Sequence, residues 1–295
     1  MNGPPSGFAL DPVRVRRSFD RAAEGYDRVA VLQAAVRANL LERLELTALA
    51  PRVVLDAGTG TGHAAKALQR RYPRAQVLAL DSALGMLRAA GRQQPWRRRF
   101  ARICADALAL PLPAASVDLI LSNLMLPWCE PEASLAEFHR VLAPRGLLTF
   151  TTLGPDTLRE LRAAWARVDS HSHVHRFFDM HEVGDALVRA GFAAPVLDVE
   201  RYTLTYADGR GLMADLKASG AHNAASDRPR GLTGRGKLAA MLAAYDEFRQ
   251  EGRLPATVEV VFGHAWGAVP GARRAGGGDA VVSLEAFKRQ LQIRP

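Results

Sequence analysis

The sequence predicts an α/β protein: a doubly wound, seven-stranded, mostly parallel sheet with an N-terminal helical cap and a helical insertion before the last strand. Three observations predict it. Short apolar runs alternate with helical segments over about 100 residues after position 50, as parallel strands joined by crossover helices do. The first run ends in an acid followed by spaced glycines, the turn with which such sheets approach a ligand. Two late segments of alternating apolar and polar residues flank a helical stretch, the pattern of an antiparallel pair that closes the sheet.

The elements follow in order. Phe19, Ala22, Ala23, Tyr26, Val29, Ala30 and Gln33 recur at spacings of three and four, which predicts one helix over 13–50. Val53 to Leu55 form the first strand, and HAAKALQRRY the helix behind it. VLALD (77–81), FARICAD (100–106), VDLILSNLM (117–125) and LLTFTTL (147–153) read as the next four strands. The helix PEASLAEFHRVL separates the last two and is expected to end at Pro144 and Gly146. Beyond them come the helix TLRELRAAWARVD, the turn SHSHVHRFF, a helix stopping at Gly191, and the strand 196–206. Two helical stretches then precede the closing strand, 257–266, which is expected to pair antiparallel with 196–206. The tail holds the low-complexity GARRAGGG and a short helix, SLEAFKRQL. The expected division is a cap (1–50), an α/β core (51–206), a helical insertion (207–255), and a closing strand with tail (256–295).

Composition excludes several classes. At 48% hydrophobic and 23% charged residues, the chain has the balance of a packed core and not of a disordered segment. No apolar run approaches the ~18 residues of a membrane span, and the opening MNGPPSGFALDP lacks a signal-peptide pattern, so a cytoplasmic protein is expected. Cys104 and Cys129 cannot frame disulfides or a zinc site, and both are expected to be small buried side chains. Lys and Arg outnumber Asp and Glu by 39 to 30, a charge of +9 that suits an acidic partner. The basic stretch from Arg92 to Arg102 is expected to be a solvated loop.

VVLDAGTGTG (53–62) is the most informative segment. Gly58, Gly60 and Gly62 would let the backbone turn tightly and aim amide donors at a ligand. His63 stands where a dinucleotide loop would need glycine, and Asp56 beside the glycines suits a cationic ligand better than a diphosphate. Asp81, followed by Ser82 at the end of the second strand, is placed to take both hydroxyls of a ribose. Asp106, with Ala107 and Leu108 as an apolar wall, is placed to accept from an adenine amino group. Any one of these acids could instead be a helix N-cap; three at successive strand ends argue for one crevice.

These features resemble the class I S-adenosyl-L-methionine-dependent methyltransferases, whose sheet is Rossmann-like. FDRAAEGYDRVAVLQ, SNLMLPWCEP, FTTLGPDTLRELRAAWARVDSHSHVHRF, LKASGAHN and LTGR further resemble the malonyl-[acyl-carrier protein] O-methyltransferase family. The resemblance implies methylation of the free carboxylate of a malonyl thioester on acyl-carrier protein, an acidic partner, as the opening of pimeloyl synthesis for biotin. It also implies that Asp56, Gly58, Gly60, Asp81, Asp106, Ser122 and Asn123 meet the cofactor. The Arg97 loop and the tail from Gly271 carry no pattern of that family.

A malonyl carboxylate is already an anion, so methyl transfer needs positioning and desolvation rather than a base. Tyr26 is the first candidate to hold it, since a phenol donates a hydrogen bond without adding charge; a core aromatic is the alternative. Arg145, His173, Arg176 and Tyr202 are the other candidates. His171, His173 and His175 alternate on one segment, but no acid nearby suggests a metal site, and none is expected. Trp128 and Trp165 read as core residues or as walls for the thioester arm. Arg228, Arg230, Arg235 or the Arg97 loop could steer the carrier protein. Two rival readings remain at this point: a methyltransferase-fold assembly factor that hydroxylates an arginine of a respiratory-complex subunit, and a basic nucleic-acid-binding protein.

Overall fold

The structure, a computed structural model, describes residues 10–269 except 95, 98, 227, 229, 230 and 232. GARRAGGG, SLEAFKRQL and Arg230 therefore lie outside the described residues.

The cap is not one helix. It breaks into α1 (Pro12–Ala22), α2 (Tyr26–Val29) and α3 (Val31–Arg43), followed by a single 3-10 turn at Leu44–Leu46. Asp11 caps α1 by accepting from the Arg14 amide at 3.0 Å, with Pro12 at the first helical position. The breaks at Gly25 and Ala30 let the pieces bury in different directions. Ala22 and Ala23 pack on Ala83 and Met86, whereas Val36 and Leu40 pack on the sheet. A straight amphipathic helix could not meet both surfaces.

The core strands are β1 (Val53–Ala57), β2 (Gln76–Asp81), β3 (Ala101–Cys104), β4 (Val117–Asn123) and β5 (Leu142–Leu153). Their helices are α4 (His63–Arg71), α5 (Leu84–Gln93) and α6 (Pro131–Val141). After β5 come α7 (Arg159–Ala166), α8 (Met180–Ala190) and β6 (Ala193–Tyr206), then α9 (Gly209–Ala218), α10 (Arg235–Asp246) and β7 (Leu254–Trp266). The seven strands lie in the order β3-β2-β1-β4-β5-β7-β6. All pairs are parallel except those of β7, which runs antiparallel to both neighbours, as the sequence predicts for β6.

Alternation along β1 explains the double winding. Leu55 faces a cluster with Ile120, Phe138, Phe150 and Leu187 on the α6 and α8 side, and Val54 faces Leu40, Leu68 and Leu119 on the α3 and α4 side. Each such leucine contributes about 2 kcal/mol of burial, so Leu55→Ala would cost about 3 kcal/mol with its cavity. A third cluster joins Leu161 and Trp165 of α7 to Leu212 of α9 and Met241 and Tyr245 of α10, fastening the insertion over the carboxyl ends of the sheet.

Two local expectations are corrected. Pro144 and Gly146 do not follow a helix end by a loop; β5 already begins at Leu142 and is interrupted by a register shift between the pairings of Val117 and Leu119. Cys104 is exposed, because β3 is the sheet edge, while Cys129 is half-buried with Sγ 3.1 Å from Met125 Sδ. In the basic stretch, Phe100 is buried and Trp96 is 77% exposed with Arg97 stacked over it.

Candidate active site

The glycine loop turns where β1 ends. Gly58, Gly60 and Gly62 have φ of 74°, 54° and 85°, the left-handed region in which a side chain is strained. A Cβ on Gly58 would lie 2.4 Å from Met125 Cβ, and one on Gly62 would lie 2.8 Å from Ala90 Cβ. A Cβ on Gly60 would meet nothing within 4 Å, so the loop is tight against protein on two sides and open on the third.

Two carboxylates shape that opening. Asp81 Oδ2 accepts from the Gly60 amide at 2.9 Å and Oδ1 from the Ala83 amide at 2.8 Å. Asp56, 1% exposed, accepts from the Thr59 hydroxyl at 2.6 Å. Burial pushes both carboxyls up to about 6; the hydrogen bonds just named pull against it, and the neighbouring acids add to it. Acids held this way favour a partner that brings hydrogen-bond donors or positive charge. Ser122, at the end of β4, is fully buried with its hydroxyl unpartnered among the described residues.

The other predicted residues are less uniform. Ser82 follows Asp81 and its carbonyl faces Cys104 Sγ at 3.8 Å. Asp106 is exposed and its Oδ1 accepts from the Leu108 amide at 3.0 Å; Ala107 is buried beside it. Asn123 is engaged in structure, donating to the Gln33 carbonyl at 3.2 Å and accepting from the Thr151 hydroxyl at 3.1 Å, which ties α3 to the sheet.

The cap closes over this cleft. Asp20 accepts from the Gly85 amide at 2.7 Å, and Asp27 accepts from the Thr61 hydroxyl at 2.6 Å with His63 Nε2 at 3.1 Å. Beside the cleft, between the cap, the ends of β4 and β5, α7 and the insertion, lies a cavity of about 820 Å³. Phe19, Tyr26, Trp128, Trp165, His173 and Leu212 are among its walls. Tyr26 belongs to both spaces: it lines the cavity, and burial together with the Asp81 charge raises its phenol far above the usual range, keeping it a neutral donor.

The histidines part ways despite their alternation. His171 is exposed. His173 stacks on Trp165 at 3.6 Å, with Nε2 2.8 Å from Asp169, an acid four residues earlier in the chain. His175 is buried between Trp128 and Phe177, and burial lowers its pKa to about 4. No group of three His, Cys, Asp or Glu side chains among the described residues is arranged to hold a metal.

Three substrate candidates are not brought to this cavity. Arg145 sits at the amino-terminal start of β5, the opposite end of the strand from the glycine loop, with its amide on the Gly267 carbonyl. Arg176 is exposed and pairs with Glu182 at 3.3 Å. Tyr202 donates to Glu200 at 2.9 Å within a cluster that includes Asn39 and Arg43. Conversely, Lys217, His222 and Asn223 line the cavity, although residue type and spacing give them no role; they lie inside LKASGAHN, whose signal is the resemblance alone.

Comparison with known proteins bears on this geometry. Residues 55–150 match a family profile described as a methyltransferase domain. The chain is 57% identical over 267 residues to a malonyl-[acyl-carrier protein] O-methyltransferase of Methylovorus sp. (strain MP688), covering 88% of this chain and 90% of the relative. It is 51% identical over 288 residues to the protein of the same name from Gallionella capsiferriformans (strain ES-2), covering 95% and 98%. Among solved structures, the YcgJ protein of Bacillus subtilis aligns with a TM-score of 0.57 at 16% identity, over 78% of this chain and 98% of that one. Phosphoethanolamine N-methyltransferase 2 of Haemonchus contortus, in complex with S-adenosyl-L-methionine, aligns with a TM-score of 0.51 at 14% identity, over 85% and 57%. These structural likenesses speak to the fold.

Proposed function

The chain belongs to the malonyl-[acyl-carrier protein] O-methyltransferase family, and on that premise we propose that it esterifies the free carboxylate of a malonyl thioester held on acyl-carrier protein. S-adenosylmethionine is its cofactor, supplying an electrophilic methyl on a sulfonium centre. The observation that carries the reading is the double membership of Tyr26, at once a wall of the 820 Å³ cavity and packed against Ala83, two residues beyond Asp81.

The residues present fit that cofactor. Asp81 would take the ribose hydroxyls, Asp56 the positively charged end, Asp106 and Ala107 the adenine, and Gly60 and Ser82 the close backbone approach. Ser122, whose hydroxyl lacks a partner among the described residues, supports a polar ligand atom there. Asn123 is expected to help only by fixing the strand end, since its amide already joins α3 to Thr151.

No residue has to remove a proton. Tyr26 would donate to one carboxylate oxygen and leave the other free to attack the methyl carbon, displacing the neutral thioether as its leaving group. A neutral donor suits this step, because the negative oxygen and the sulfonium lose their charges together as the bond forms. His173, braced by Asp169 and Trp165, is the second candidate donor. The cap would exclude water, and the insertion would serve as the lobe that receives the thioester arm. The acidic character of the carrier complements the charge of +9. A cytoplasmic location goes with acyl-carrier chemistry, and no helix among the described residues is long and apolar enough to cross a membrane. Esterification of this carboxylate fits the opening of pimeloyl synthesis for biotin. The Methylovorus and Gallionella relatives are O-methyltransferases by name, and no observation favours arginine hydroxylation or nucleic-acid binding.

Incubation with labelled cofactor and malonyl-carrier protein, followed by intact mass measurement, tests the proposal. The carrier should gain one methyl, and a malonyl thioester already esterified should gain none. No gain, or equal consumption of the ester, would sink it.

A further inference from the structure

Cationic side chains gather where α1 packs on the turn that follows α9. The packing is close: a Cβ on Gly220, whose φ is 75°, would lie 3.2 Å from both Phe19 Cδ1 and the Ser18 carbonyl. Arg14 crosses the seam to donate from Nε to the Asn223 carbonyl at 3.2 Å. Lys217 and His222 line the cavity from the α9 side, and Lys217 is exposed at its rim. Burial, and then the charges of Arg14, Lys217 and Arg21, hold His222 below the usual imidazole range. None of Arg14, Arg21 and Lys217 forms an ion pair with a carboxylate among the described residues.

Several arginines elsewhere have a carboxylate partner: Arg43 with Asp198 and Glu200, Arg71 with Glu45, and Arg228 with Asp11 at 3.6 Å. Like charges gathered at one rim repel, and an anion bound among them relieves that repulsion. The cavity thus has a cationic rim at the α1–α9 seam, while Tyr26, on another of its walls, backs onto the acid Asp81. A ligand matched to it is long, with one anionic group that remains at the rim while its other end reaches Tyr26.

We infer that the seam formed by Arg14, Arg21, Lys217 and His222 binds the phosphate of the phosphopantetheine arm through which a carrier protein presents its thioester. The inference rests on the malonyl-thioester reading and adds the chemistry of the rim. The phosphate anchors the arm at the mouth, its amide-bearing stretch crosses the apolar walls, and the malonyl end arrives at Tyr26. Arg21 and Lys217 are exposed, so their removal leaves the core untouched.

The test compares two soluble substrates, malonyl-phosphopantetheine and malonyl-pantetheine, which differ only in the phosphate. The wild-type enzyme should prefer the phosphorylated one by about tenfold in kcat/KM, mainly through KM. In the double variant Arg21→Ala, Lys217→Ala that ratio should fall toward one. An unchanged ratio in the variant, or a wild-type ratio near one, would overturn the inference. So would equal loss on both substrates, which would mean that the seam holds the malonyl end or only the fold. If the wild-type enzyme methylated neither these compounds nor malonyl-carrier protein, the functional reading itself would fall, and the rim assignment with it.

Discussion

The Gly60 amide donates to Asp81 Oδ2 at 2.9 Å, which locks the glycine loop of β1 onto the carboxylate that ends β2. The glycine loop and Asp81 are therefore one unit, so Asp81 has a structural task beside the ribose-binding role proposed for it.

Asp81→Ala is expected to weaken S-adenosylmethionine binding by ten- to a hundredfold, the worth of about two charge-assisted hydrogen bonds less solvent compensation. It also removes acceptors for Gly60 and Ala83, so a drop of about 1 kcal/mol in stability should accompany it. Isothermal calorimetry and a denaturant melt separate the two effects. Undiminished affinity would refute the site.

Cofactor affinity should depend on pH with a definite sign. Burial raises Asp56 and Asp81 to about 6 in the free protein, so both lose charge as pH falls through that value. A ligand that pairs with the ionised carboxylates binds less well below about pH 6 and reaches full affinity above about pH 7, releasing protons in between. In the free protein the same shifts favour the protonated fold, so its stability falls as pH rises from about 4 to 6 and then levels off. Calorimetry in buffers of different ionisation enthalpy would reveal the proton release; pH-independent affinity between about 5 and 7 would contradict this account.

Tyr26→Phe keeps the ring packed against the Phe19, Ala83 and Met86 cluster and removes only the hydroxyl. The expected result is a ten- to hundredfold loss in kcat with cofactor affinity nearly intact. Unaltered turnover would shift the carboxylate-holding role to His173.

The three glycines should respond differently to alanine. Gly58→Ala and Gly62→Ala meet Met125 and Ala90 at 2.4 and 2.8 Å, and should each cost about 2 to 3 kcal/mol of stability. Gly60→Ala has open space, so it should cost about 1 kcal/mol of backbone strain while still impairing cofactor binding, because its methyl projects into the opening. Thermal melts and cofactor titration of the three variants would check this ordering.

Asp27→Ala should unfasten the cap from the glycine loop by removing the partners of Thr61 and His63. Amide exchange over 12–29 should quicken and bound cofactor should leave several-fold faster, with little change in the exchange of β1 and β4.

The glycine loop and the acids around it were readable because their signals are local. Asp56, Gly58, Gly60 and Gly62 lie within seven consecutive residues, and Asp81 and Asp106 fall at the end of β2 and just past the end of β3, places that periodicity can find. Substrate candidates were readable only as residue types. Arg145 lies in β5 and His173 follows β5 and α7 in the chain, yet Arg145 sits at the amino end of that strand while His173 lines the cavity at its carboxyl end. Alternation suggested a common direction for His171, His173 and His175, but irregular backbone sent them to solvent, to Trp165 and to Trp128.

The sequence by itself determined the strand and helix succession, the antiparallel closure, the glycine loop and its acids, because each depends on residues near one another in the chain. Only the tertiary structure decided that the cap breaks at Gly25 and Ala30, that Tyr26 stands between cleft and cavity, and that Arg14 of α1 reaches the Asn223 carbonyl beyond α9. Those outcomes depend on which faces find each other across about 200 residues of intervening chain, and packing, not local propensity, sets that choice.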